Sequence, residues 1–168
     1  MPSRARLRKR LRSLAFVEGV NVVLLPAAVL TAVGSRGPLT TGVVAGAAAV
    51  SVALAAGSLF WFRRLRGRVS LRWCRVCEAG LAVAALLAAV ATGLSALDLR
   101  TGALLVPIIG FGLALFAACE IVNYRFVQIS AGGWLAWGGG RVRRPHLAIE
   151  LRRARRKGSG GTGAAETG

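Results

Sequence analysis

Residues 39–62 read LTTGVVAGAAAVSVALAAGSLFWF, a run without a single charged side chain. As an α-helix rising about 1.5 Å per residue, this run would be roughly 36 Å long. The hydrocarbon core of a bilayer is only about 30 Å thick, so the run is long enough to cross it. An uncharged apolar stretch of this length predicts a transmembrane helix.

Three further long apolar runs, each with only one or two charged side chains, extend over about residues 13–33, 73–97 and 103–130. Of the 168 residues, 55% are hydrophobic, and the charged residues lie almost entirely between the runs. A soluble domain with that apolar fraction would need an unusually large core for its length. We therefore predict an all-α membrane protein with a four-transmembrane-helix bundle.

Polar segments flank this transmembrane domain, which we place at residues 13–130. Residues 1–12 form a basic arm, residues 131–157 a glycine-rich hinge followed by a basic segment, and residues 158–168 a disordered tail. A signal peptide is the competing interpretation of the N-terminus. Glu18 and Asn21 interrupt its apolar stretch, so we expect a retained span.

The basic residues predict the orientation of the chain. The net charge is +17, and the arm, the loop after the second run and residues 141–157 hold nearly all the basic residues. The two remaining turns carry only Arg36 and Arg100. Because cytoplasmic loops carry the excess of Lys and Arg, we expect both termini on the cytoplasmic side. Tryptophans favour membrane interfaces, and all four lie at predicted cytoplasmic interfaces: Trp61, Trp73, Trp134 and Trp137.

The composition also indicates what kind of organism the protein comes from and what it binds. Frequent Ala, Gly, Val and Arg with little Lys is typical of a bacterium with a GC-rich genome, so we expect a multi-pass protein of the inner (plasma) membrane. A basic excess beside membrane spans favours anionic lipid headgroups of the inner leaflet. We expect no nucleic-acid partner.

Three carboxylates interrupt the apolar runs: Glu18, Glu78 and Glu120. Ionisable residues inside a membrane cost a few kcal/mol, usually face the bundle interior and often mark function. Asn21 follows Glu18 and Asn123 follows Glu120 at a spacing of three, which places each pair on one helical face. At about 1.5 Å per residue, Glu18 lies roughly 9 Å inside Arg12 and Glu120 roughly 8 Å inside Arg125.

We predict that these residues line one polar pocket open to the cytoplasm. Its lining is Glu18, Asn21, Glu78, Glu120, Asn123, Tyr124 and Gln128. The alternative is structural: a carboxylate pairs with an arginine, or hydrogen-bonds an asparagine of another helix for about 0.6 kcal/mol. Glu78 is so near the interface that its side chain could simply extend to the headgroups.

Cys74 and Cys77 form a CxxC motif, and Cys119 precedes Glu120. The motif superficially resembles that of bacterial membrane quinone reductases that make periplasmic disulfides. Those enzymes need cysteine pairs on the oxidising side, whereas this CxxC is predicted on the reducing side and a second pair is missing. We expect packing residues, with no metal and no cofactor.

Small residues predict close helix packing. Gly42 and Gly46 form a GxxxG step in the second run, and the third run has Ala85, Ala89 and Gly93 at four-residue spacing. We expect these rows to hold the bundle together. A homodimer face is the alternative.

Residues 145–157 read as a short basic amphipathic helix lying on the inner leaflet. Its basic residues, with two that precede it, are the predicted lipid-surface set: Arg143, Arg144, Arg152, Arg153, Arg155, Arg156 and Lys157. A solvated tail or a dock for a protein partner remains open.

Three classes of function follow. Because the short loops leave little room for a catalytic apparatus, an accessory or scaffold subunit of a membrane assembly is favoured over an enzyme. The alternative is a small proton- or cation-coupled transporter that uses Glu18 and Glu120. A second alternative is a membrane enzyme acting on a lipid or isoprenoid.

Overall fold

A computed structural model describes residues 4–35, 38–67, 69–101, 104–125 and 149. Within these residues the chain forms helices only, and four of them are long. They are α1 Arg4–Gly34, α2 Thr41–Leu65, α3 Leu71–Asp98 and α4 Leu105–Arg125, with a short 3-10 turn at Leu99–Thr101.

Each long helix contains a segment that is long and apolar enough to span a membrane. The predicted all-α membrane protein with four spans is confirmed at this level. The helix α1 begins at Arg4, so its first turns include most of the stretch assigned to the basic arm. Gln128, the basic amphipathic segment (apart from residue 149) and the tail lie outside the described residues.

The helix α2 is the centre of the bundle. It packs against α1, α3 and α4, while α3 and α4 also pack against each other and α1 packs mainly against α2. Small residues make this central position possible. A Cβ atom at Gly46 would lie only 2.8 Å from Leu113 Cβ, so the backbones of α2 and α4 approach closely there.

Three helices meet at Ser95, which is completely buried. A Cβ atom at Gly42 of α2 would lie 2.7 Å from the Ser95 hydroxyl oxygen, and one at Gly110 of α4 would overlap that oxygen. Glycine at both positions therefore admits the side chain of α3 between its two neighbours.

The prediction that a row of small residues on α3 packs inside the bundle is wrong. Ala85, Ala89 and Gly93 lie on the exposed side of the helix. The buried residues of α3 in this half lie on another side of the helix: Ala84, Ala88, Ala91 and Ser95. Since α3 carries small residues on several sides, spacing alone could not identify the side that packs.

The helix α1 is attached on one side only. Ser58 of α2 donates a hydrogen bond to the Ala15 carbonyl at 3.3 Å, and Ser51 donates one to the Val22 carbonyl at 3.1 Å. The opposite face of α1 is apolar and exposed, with Phe16 at 72% and Val23 at 70%. In a membrane that face contacts lipid or another protein.

Candidate functional site

The candidate site lies at the end of the bundle where α1 and α3 begin and α2 and α4 end. We call this the basic end, because Arg12, Arg63, Arg72 and Arg125 all lie there. Contacts between helices fix this arrangement. The Arg63 guanidinium lies 3.6 Å from the centre of the Trp73 ring and joins α2 to α3.

Glu18 on α1 is the residue around which the site is built. Its half-buried carboxyl group interacts with the Tyr124 side chain of α4 and with the Trp61 indole of α2. The Glu120 carboxyl group of α4 is close enough to Glu18 for two negative charges to repel each other. A carboxylate of α1 and a carboxylate of α4 therefore lie near each other at this end of the bundle.

Tyr124 is placed by a glycine. Its side chain is only 6% exposed, and its ring lies so close to Gly57 that a Cβ atom on that residue would overlap the ring. A larger residue at position 57 would push the ring away from α2. The Tyr124 hydroxyl is thus held at the boundary between α1, α2 and α4.

The contact between Glu18 and Tyr124 falls short of full hydrogen-bond geometry. The Tyr124 hydroxyl and one Glu18 oxygen are buried, and neither has a partner of full hydrogen-bond geometry among the described residues. The two side chains nevertheless interact with each other. Buried polar atoms without such a partner call for an explanation, and a bound ion is one.

Asn123 belongs to the same site. Its side-chain amide interacts with the Glu120 carboxyl group three residues earlier on α4. This is the spacing at which two side chains share a helical face. Asn123 thereby orients Glu120, while Tyr124 extends from the adjacent position toward α2.

Glu78 is engaged differently. Its carboxyl oxygen lies 3.9 Å from an Arg125 nitrogen, and both side chains are substantially exposed. This ion pair at the rim is the structural role that the sequence left open for a carboxylate near the interface. Asn21 is half-buried one turn after Glu18. Of the residues predicted to line the pocket, the contacts described so far bring together Glu18, Glu120, Asn123 and Tyr124.

Trp61 is the residue that the sequence reasoning missed, because it was interpreted only as an interfacial anchor. Its ring packs edge-on against Phe60 at 5.3 Å, and the Arg64 guanidinium lies 5.8 Å away. The signal available was its spacing of four from Gly57, which puts both residues on one face of α2.

The two buried cysteines pack in one apolar cluster with Trp61 and Tyr124 of the candidate site. Cys74 and Cys77 are buried, Cys119 is exposed, and none of the three forms a disulfide with another described residue. In the described part of the chain, no three His, Cys, Asp or Glu side chains are grouped so that they could hold a metal ion.

The arrangement has a definite chemical capacity. Two partly buried carboxylates that lie near each other repel when both are charged, and a proton or cation bound between them lowers that repulsion. The aromatic side chains of Trp61 and Tyr124 add groups that attract an organic cation. The site is thus suited to a positively charged ligand.

Comparison with known proteins found no match for this chain. No protein-family model matches the chain, and no curated protein or solved structure is significantly similar to it.

Proposed function

We propose that this chain is a small multi-pass protein of the cell membrane that binds a proton or a monovalent cation between Glu18 and Glu120. The observation that carries the proposal is the meeting of carboxylates from the first and last spans beside Tyr124. This is the proton- or cation-coupled transporter, here preferred over the accessory subunit that the sequence alone favoured.

The proposed orientation places the basic end in the cytoplasm. The arginines of the arm and of the loop between α2 and α3 support it, since Lys and Arg are retained on that side. Glu18 and Glu120 would then exchange ligands with the cytoplasm.

Electrostatic repulsion is the reason why proton binding and cation binding would be coupled at this site. A charged carboxylate costs about 3 kcal/mol at the centre of a membrane helix, and less near the interface. Two neighbouring carboxylates add their mutual repulsion to that cost. Binding of one positive charge lowers both terms, so a proton and a cation compete for the same place.

The one-sided attachment of α1 supports a carrier. Serine hydroxyls join α1 to α2, and such contacts between membrane helices contribute only about 0.6 kcal/mol each. Movement of α1 relative to α4 would separate Glu18 from Glu120 and change the affinity of the site for its cation.

The test is calorimetric titration of the purified protein in detergent with potassium ion and with tetraphenylphosphonium. We expect at least one probe to bind, and both Glu18→Gln and Glu120→Gln to weaken that binding at least tenfold. Glu78→Gln is the matched control, because it removes a carboxylate at the same end outside the site. Binding unchanged in the two site variants, or equally weakened in the control, would refute the proposal.

The accessory or scaffold subunit remains the second candidate. The exposed apolar face of α1, which includes Phe16, Val23 and Leu24, favours it. A membrane protein partner covering that face would co-purify with the chain in mild detergent. Replacing Phe16 and Val23 by alanine would release the partner, whereas Glu18→Gln would not.

Two further interpretations of the sequence remain predictions. The membrane enzyme acting on a lipid or isoprenoid gains no support from any contact among the described residues. The lipid-surface role of the C-terminal arginines lies outside them.

A further inference from the structure

The outward face of α3 carries an open groove of about 510 Å³ at the basic end. Five residues of the first two turns line it: Leu71, Arg72, Arg75, Val76 and Ala79. The groove is separate from the carboxylate site. Trp73 and Cys74 of the same turns point elsewhere, toward Arg63 and into the apolar cluster of α2.

Arg72 and Arg75 bring two positive charges to this groove. Both are exposed, and at a spacing of three they share one helical face. Neither forms an ion pair with another described residue. The one acidic side chain nearby that does, Glu78, is paired with Arg125.

The first turn of α3 itself offers no acidic group to compensate this charge, and the Ser70 side chain makes no capping hydrogen bond. The beginning of a helix is already the positive end of its dipole, so two arginines there are unfavourable without an anion. An anion outside the chain would relieve this.

An apolar strip continues from the arginines along the same face of α3. Val76, Val83 and Leu86 are exposed on it at 45%, 49% and 65%. Val90 follows one turn further. The surface thus joins a cationic end to an apolar strip that runs toward the opposite end of the bundle.

We propose that this surface binds one anionic phospholipid, with the phosphate between Arg72 and Arg75 and an acyl chain along Val76, Ala79 and Val83. The chemistry required is a phosphate attached to a hydrocarbon chain. Bidentate guanidinium contacts suit phosphate oxygens, and the strip suits the chain. This proposal does not depend on the cation site.

Native mass spectrometry of the full-length protein in detergent tests the proposal. Phosphatidylglycerol and phosphatidylcholine with identical chains are the probes, and soluble glycerol phosphate is the competitor. We expect one phosphatidylglycerol to be retained in preference to phosphatidylcholine. An arginine near an anionic surface contributes about fivefold, so Arg72→Gln with Arg75→Gln lowers retention about 30-fold.

Two further variants distinguish the effect of total charge on lipid retention from the effect of the shape of the groove. Arg12→Gln with Arg66→Gln removes the same charge at the same end away from the groove, and we expect less than a threefold change. Ala79→Phe keeps both arginines and fills the groove, and we expect weaker retention. Arg75→Gln alone, with about a fivefold loss, replaces the double variant if that does not accumulate.

Three results would overturn the assignment. Equal retention of the two phospholipids would show that the surface does not select for the negative charge of the headgroup. An equal loss in the control pair would show that only total charge counts. Full competition by soluble glycerol phosphate would show that the acyl chain is not bound.

Discussion

Gly57→Ala adds a single methyl group at the contact between α2 and α4. The added Cβ atom would overlap the Tyr124 ring, which is almost fully buried. Because that ring has no free space, either it leaves its position or the two helices separate. The variant therefore tests both the packing of α2 against α4 and the placement of the Tyr124 hydroxyl.

The magnitude follows from what overpacking and helix propensity cost. An extra methylene in a well-packed interior costs about 1–3 kcal/mol. Alanine in place of glycine otherwise favours a helix by up to about 1 kcal/mol. Gly93 and Gly112 are the matched controls, since a Cβ atom at either meets nothing within 4 Å. Because the helix-propensity gain is common to both variants, we expect Gly57→Ala to be less stable than Gly93→Ala by about 1–3 kcal/mol.

Thermal unfolding in detergent, followed by tryptophan fluorescence, measures this difference. At roughly 2–4 °C per kcal/mol for a chain of this size, the two alanine variants should melt about 2–12 °C apart. In a Tyr124→Ala background the ring is gone, so Gly57→Ala should no longer lower the midpoint. Equal melting of Gly57→Ala and Gly93→Ala, or a penalty that persists without the ring, would refute the reasoning.

Two other substitutions give contrasting expectations in the same assay. Ser95→Ala should be neutral or stabilising, because its buried hydroxyl has no hydrogen-bond partner among the described residues; a loss above 2 kcal/mol would reveal a partner. Gly110→Ala should cost about 1–3 kcal/mol, because the new Cβ would overlap Ser95, and an unchanged midpoint would contradict that contact. Glu78→Gln should cost less than about 1 kcal/mol, since its ion pair with Arg125 is exposed at both ends, and a larger loss would place Glu78 inside the bundle.

The four spans could be predicted because length and the absence of charge decide the matter in a membrane. Residues 39–62 leave no soluble alternative, and the observed α2 departs from that range by only two or three residues at either end. The neighbours of each helix were harder to predict. The row Ala85, Ala89 and Gly93 was placed inward and lies outward, because alanine offers the same close approach on every side of α3.

Half of the candidate site could be anticipated from spacing within one helix. Glu120 and Asn123 share a face by helical geometry alone, and their side chains do interact. The spacing of four between Gly57 and Trp61 puts both on one face of α2. That this face meets Tyr124 could not be anticipated, since the contact joins two helices. Glu78 was grouped with the pocket by its depth, whereas its contact is with Arg125 at the rim.

Cross-linking with a short bifunctional thiol reagent tests the central claim, that Glu18 and Glu120 form one site, most directly. The protein would carry Glu18→Cys and Glu120→Cys with its native cysteines replaced by alanine, and the cross-linked peptides would be identified by mass spectrometry. The control keeps native Cys119 as the partner of Glu18→Cys, because Cys119 is exposed on another side of α4. We predict rapid, nearly complete cross-linking between positions 18 and 120 and little between positions 18 and 119. Slow cross-linking of the first pair, or equal cross-linking of both, would contradict the account.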